Sequence, residues 1–258
     1  MAVASGRKFV GLESAGIKMD LLMIVAVLCA YFVKGMCGFA NTLVHTTILG
    51  SRDNNISITP VELLIGYPSN LVIAVKERKS IVPSKCISLA LLVLLGCIPG
   101  TFLLKNGDVT AVKIFFGVVV TFVGIEMFFR EYQKEKRKSS KILLGIIGLL
   151  SGFLCGMFGI GALMAAYMSR TTEDSQSFRG NLCVVFLVEN TFRIVLYTVL
   201  GILNAEVFKQ ALMLLPFMLL GLFAGMWAAE KMPEKVVKRV VIVMLILSGI
   251  SLIVKNVI

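Results

Sequence analysis

The chain has 258 residues, 57% of them hydrophobic, and a formal net charge of +11, with a mean hydropathy of +0.90. Charged residues make up only 16%, against about a quarter in soluble domains, and most of them gather in short clusters between apolar runs. This distribution argues against an ordinary soluble domain. It assigns the Lys and Arg to control of membrane topology rather than to nucleic acid, for which no arginine and aromatic pattern is present.

Residues 1–19 form a polar N-terminal segment. The first apolar run starts at Asp20, lacks an A-x-A-like cleavage site and continues into a glycine motif, so it is read as part of the protein rather than as a removable signal. Apolar segments then cover roughly 20–49, 59–75, 86–104, 110–129, 141–168, 178–201, 207–229 and 235–254, the lengths needed to cross a hydrocarbon core about 30 Å thick. In lipid every backbone polar group must be satisfied within its own segment, so these runs are helices. The expected fold is an all-α polytopic protein of the cell's inner (cytoplasmic) membrane, with the lipid bilayer as its solvent.

Two of these segments, the first and the fifth, are too long. A straight helix of almost thirty residues would run about 45 Å, and both are interrupted by glycines. Two half-helices joined at the glycines resolve this, either as a kinked span or as a re-entrant hairpin. Further along, Thr59-Pro60-Val61-Glu62 matches a capping box with proline at the first helical position, which gives Glu62 a local structural role. The polar connection 130–140 reads as a basic cytoplasmic linker between a first transmembrane repeat, 20–129, and a second, 141–258. Gly201 is placed to cap a helix, and Trp227 suits an interfacial anchor.

The two repeats share features in the same order. Gly35-Met36-Cys37-Gly38-Phe39-Ala40 corresponds to Gly156-Met157-Phe158-Gly159-Ile160-Gly161. Asn70 corresponds to Asn190, and Gly96-x-x-x-Gly100 to Gly221-x-x-x-Gly225, a spacing that lets membrane helices approach closely. Ordered coincidences of this kind indicate an internal duplication of four segments. Hairpin first and fifth segments would make the repeats inverted, a common transporter plan, and that arrangement is preferred here.

These motifs resemble the sulfite exporter TauE/SafE family of membrane transporters. The resemblance is carried by Gly152–Gly161, by Phe178–Leu200 with Asn190 and Arg193, and by the last segments with Gly221, Gly225, Pro233 and Gly249. It covers nearly the whole chain from residue 20. The first glycine motif departs from the family pattern at Ala40-Asn41-Thr42, followed by His45. The resemblance implies secondary transport of a small anion, such as sulfite, an organosulfonate or a related sulfur-containing or carboxylate anion.

Chemistry is expected at the helix breaks. The second half-helices would start near Ala40-Asn41-Thr42 and Gly161-Ala162, where free N–H groups and the helix dipole attract an anion. Gly38, Asn41, Thr42, Gly159 and Gly161 are the first candidates for substrate binding, with helix packing as the alternative role of the glycines. Asn70 and Asn190 can donate to an oxyanion or bond a neighbouring helix. Arg193 is a guanidinium inside an apolar segment, a functional candidate by position, although Glu189 one turn earlier offers a structural ion pair. Lys34 could be a second cation or mark a vestibule. His45, the single histidine, is the candidate carrier of a coupling proton, since imidazole changes charge near neutral pH. Glu126 beside Arg130 reads as interfacial. The six cysteines form no CxxC pair and read as apolar packing residues, and neither a metal nor a cofactor is implied. No H-E-x-x-H, G-x-S-x-G or paired intramembrane carboxylate points to an enzyme. The alternatives are an uncoupled anion channel or uniporter of the same fold, and a non-transporting scaffold or sensor. A coupling proton or cation and an oligomer remain open as partners.

Overall fold

A computed structural model of the chain describes residues 21–49, 55–106, 110–132 and 141–257. The polar segment 1–19 and the linker residues 133–140 lie outside the described residues. Among the described residues there are ten α-helices and no strand: α1 (Leu21–Cys37), α2 (Asn41–Leu49), α3 (Asn55–Lys76), α4 (Pro83–Asn106), α5 (Thr110–Tyr132), α6 (Lys141–Phe158), α7 (Ala162–Thr171), α8 (Ser175–Val199), α9 (Ala205–Lys231) and α10 (Glu234–Val257). Three of them, over Pro83–Leu103, Ser175–Val199 and Ala205–Lys231, are long and apolar enough to cross a membrane on the strictest count. Large apolar side chains such as Leu91, Leu95, Phe122, Leu220 and Trp227 stand exposed on the outside, the surface that lipid covers in a multi-pass membrane protein.

The two overlong segments are broken at the expected glycines. Helix α1 stops at Cys37 and α2 starts at Asn41; α6 stops at Phe158 and α7 starts at Ala162. The corresponding glycines, Gly38 (φ 84°) and Gly159 (φ 68°), both take the left-handed backbone, which only glycine adopts at little cost. Ala40 also sits there, at φ 71°, a strain of about 1–2 kcal/mol held by its surroundings.

Helix α2 doubles back along α1. Leu49, at the end of α2, packs on Ala26, with Met23 and Ile48 beside them. In one straight helix these residues would lie about 35 Å apart. Near the end of α7, Arg170 bonds Glu126 at 2.5 Å, close to the end of α5 from which the chain leads into α6. Glu126 is thus paired with a residue on another element.

Small residues set the helix pairs. In α4, a Cβ at Gly96 would meet the Leu149 carbonyl of α6, and one at Gly100 the Phe153 carbonyl; Gly152 and Gly156 of α6 meet Val93 and Cys97 in return. Positions rise together, so α4 and α6 are parallel and nearly backbone to backbone. Gly221 and Gly225 of α9 seat against Leu28 and Phe32 of α1 in the same way. By contrast, α3 and α8 run antiparallel: Tyr67 meets Thr191 at 3.3 Å, whereas Glu77 meets Arg179 at 2.6 Å.

The ends of the later helices follow local chemistry. The Asp174 carboxylate caps α8 by accepting from the Ser177 N–H at 2.7 Å. Past the Leu200 C-cap of α8, Gly201 takes φ 68°, the αL residue that lets the chain leave a helix. Lys231 lies 4.1 Å over the Trp227 ring. One local expectation fails. Helix α3 begins at Asn55, so Thr59 is inside the helix and is not its N-cap. Glu62 is therefore released from a capping box and points elsewhere.

Candidate functional site

The two breaks and the middles of α3 and α8 enclose a cleft. Its free space, counted with its open mouth, is about 330 Å3, and it is lined by Lys34, Asn41, Thr42, Thr59, Glu62, Leu63, Gly66, Asn70, Gly159, Phe186, Asn190 and Arg193. Residues from α1, α2, α3, the second break and α8 thus converge on one point, although they lie far apart in the sequence.

The α8 wall carries Arg193, which is only 2% exposed. Its Nη1 donates to Glu189 Oε1 at 3.3 Å and its Nη2 to the Tyr197 hydroxyl at 3.0 Å. The guanidinium lies directly over Gly159: a Cβ there would stand 3.2 Å from Nη1. Only two of the five guanidinium N–H donors are accounted for by these bonds, and Nε has no partner among the described residues. The structural ion pair and the cleft-lining position coexist in the same side chain.

Lys34 forms the opposite cation. It is 2% exposed and its ammonium lies 5.6 Å from the Tyr31 ring centroid and 5.7 Å from that of Phe186. Aromatic faces attract a cation but offer it no acceptor of hydrogen bonds as strong as an oxygen. No carboxylate lies within ion-pair distance of Lys34 among the described residues, so its charge faces the cleft.

On the α2 wall the polar groups are already engaged. Glu62, 3% exposed, accepts from Asn41 Nδ2 at 2.7 Å and from Thr42 Oγ1 at 3.4 Å, and its other oxygen lies 2.7 Å from Nδ1 of the fully buried His45. A carboxylate of the protein itself therefore occupies the start of α2. Asn70 and Asn190 both line the cleft, and Asn70 Oδ1 is buried with no hydrogen-bond partner among the described residues. Gly66 leaves space beside Asn190 and Asn41: a Cβ there would sit 3.7 Å from the Tyr31 hydroxyl, 3.9 Å from Asn190 Nδ2 and 4.0 Å from Asn41 Nδ2.

Of the candidates read from the sequence, Asn41, Thr42, Asn70, Gly159, Asn190 and Arg193 line this cleft. Gly38 does not; it packs on Arg179, whose guanidinium bonds Glu77 and the Met36 carbonyl. Gly161 stands behind the cleft, in contact with the Phe186 ring. His45 is one layer back, behind Glu62. The residues missed are Thr59 and Glu62, which a local capping pattern had absorbed, and Leu63, Gly66 and Phe186, which carry no motif. Five cysteines are buried and Cys29 is exposed, all unbridged. Among the described residues no cluster of three or more His, Cys, Asp or Glu could hold a metal ion.

Comparison with known proteins gives one result. No curated protein and no solved structure matches the chain. A family model described as "Sulfite exporter TauE/SafE" matches residues 22–252, nearly the whole chain. Its members are membrane transporters and not enzymes. By that match the chain, multi-pass and helical with broken helices meeting at a polar cleft, belongs to the sulfite exporter TauE/SafE family of membrane transporters.

Proposed function

We propose that this protein is a secondary transporter that carries a small sulfur-containing or carboxylate anion, with sulfite as the first candidate, across the cytoplasmic membrane, and that the anion binds in the cleft at the two helix breaks. The observation that carries this reading is the pair of buried cations, Lys34 and Arg193, lining one cleft with Asn70 and Asn190. An ionisable group buried in a membrane protein is costly and is retained for a pathway or a site. A planar guanidinium and a point-charge ammonium together suit an oxyanion with several acceptor oxygens. Gly159 lets such an anion approach the backbone under Arg193, and the start of α7 adds its dipole.

The packing supports an inverted repeat. If α1 to α5 and α6 to α10 are equivalent, the pair α4·α6 corresponds to α9·α1, and both are parallel and glycine-seated. The equivalent helices α3 and α8 run antiparallel, as an axis in the membrane plane requires. Alternating access by rocking of one repeat against the other then exposes the central cleft to each side in turn. His45 is the proposed carrier of a coupling proton.

The test is sulfite flux into proteoliposomes with an imposed pH gradient. The expected result is accumulation beyond equilibrium that collapses with the gradient. Equilibration without accumulation would indicate the uncoupled channel or uniporter, and absence of flux with every small oxyanion tried would overturn transport.

A further inference from the structure

The charges around the cleft balance before any substrate arrives. Lys34 and Arg193 are cations; Glu62 and Glu189 are carboxylates, and all four are nearly fully buried. These four formal charges cancel. An entering anion would leave a net negative charge in a site shielded from water, which is strongly unfavourable.

We infer that Glu62 and His45 form a proton-binding pair that takes up one proton when the anion enters, so that anion and proton bind cooperatively. The inference rests on the reading of the cleft as the anion site and deepens it. Sequence points to His45 alone; the structure adds the carboxylate that faces the cleft.

The geometry provides both halves of the device. Glu62 Oε1 lies 2.7 Å from His45 Nδ1, within ion-pair distance, while both atoms are buried and neither is engaged in a hydrogen bond of good geometry among the described residues. His45 Nε2 is likewise buried without a hydrogen-bond partner among the described residues, so the pair presents unengaged nitrogen and carboxylate atoms on which a proton can be held. The incoming proton from the aqueous phase can be held on Nε2 or on the carboxylate, and it returns to that phase when the anion leaves. Meanwhile Glu62 Oε2 holds Asn41 and Thr42, the two polar residues that open α2. Protonation of Glu62 weakens that hold and frees both donors, together with the α2 dipole, for the substrate. An anion beside Lys34 does the converse: its charge raises the proton affinity of the pair. The two ligands thus favour each other by the same factor, as linkage demands.

Other charged or titratable groups stand around the cleft that the pair borders. From α1 come Lys34 and Tyr31, and from α8 Glu189 and Arg193, which hold each other at 3.3 Å. Lys34 is the one that an anion would neutralise, since it has no carboxylate partner within ion-pair distance among the described residues.

The test is calorimetric titration of detergent-purified protein with sulfite in buffers of different ionisation enthalpy, comparing the parent with Glu62→Gln. Protons taken up by sulfite itself are common to both and cancel. The expected result is an excess uptake in the parent approaching one proton per anion. Its affinity should then fall about tenfold per pH unit more steeply than that of Glu62→Gln on the alkaline side. Equal uptake in the two proteins would overturn the inference while leaving the anion site standing. A folded parent that binds no small oxyanion at any pH would instead overturn the site and this inference with it. If Glu62→Gln does not stay monodisperse, the sulfite-induced infrared difference spectrum of the parent decides. New protonated-carboxyl or imidazolium bands support the pair, and a spectrum lacking both overturns it.

Discussion

Replacing Arg193 and Glu189 together, as Arg193→Ala with Glu189→Gln, isolates the role of the guanidinium. Arg193→Ala alone is ambiguous. It would leave Glu189, 1% exposed, as a buried carboxylate without its 3.3 Å partner, and breaking a buried pair in this way costs about 3–5 kcal/mol of stability. Removing both charges avoids that penalty and keeps the charge of the cleft unchanged. What is lost is the guanidinium over Gly159 and its unused donors. A charge-assisted hydrogen bond contributes about 1.5–3 kcal/mol, which corresponds to a loss of roughly ten- to a hundredfold in anion affinity. Calorimetric binding of sulfite to monodisperse protein measures this directly, and a thermal unfolding curve shows that the variant is folded. A folded double variant that binds sulfite within about twofold of the parent would refute the reasoning and leave Arg193 as a structural residue.

Other outcomes follow from the same contacts. Gly161→Val drives a side chain into the Phe186 ring, which lines the cleft and flanks Lys34; sulfite affinity should fall at least about tenfold, and normal binding by folded protein would place the site elsewhere. Gly225→Ala places a methyl group on the Phe32 carbonyl at the α1·α9 seam, so overpacking should cost about 1–3 kcal/mol in thermal unfolding. The control is Gly145→Ala in α6, where nothing lies within 4 Å; it should be neutral or stabilising by up to about 1 kcal/mol. Glu77→Gln strips the carboxylate from Arg179, half of a pair only 8% exposed on each side, and should destabilise by about 3–5 kcal/mol.

The parts of this fold legible in the sequence are those fixed by distance and by glycine. A segment too long for the bilayer has to break, and Gly38 and Gly159 mark where, because only they take positive φ cheaply. The spaced pairs Gly96/Gly100 and Gly221/Gly225 announce close helix contacts without naming the partner. Arg193 and Glu189 could be paired because a helix brings i and i+4 together. Glu62 was hidden for the opposite reason. Its neighbours in the sequence form a plausible capping pattern, while its real partners, His45, Asn41 and Thr42, reach it only because α2 folds back. Gly38 shows the same limit from the other side: its backbone follows the motif, yet its surroundings are set by Arg179, on a helix far along the chain. The Arg179–Glu77 pair itself joins residues 102 apart, a distance that no local pattern bridges.

The claim on which the rest depends is that the anion sits between the two helix breaks. The most direct measurement is a structure of the protein with sulfite, compared with one prepared without it. Additional density is expected in the cleft, in contact with Lys34 and Arg193 and above Gly159. A cleft with identical density in both structures, while sulfite is bound at another position, would contradict the account.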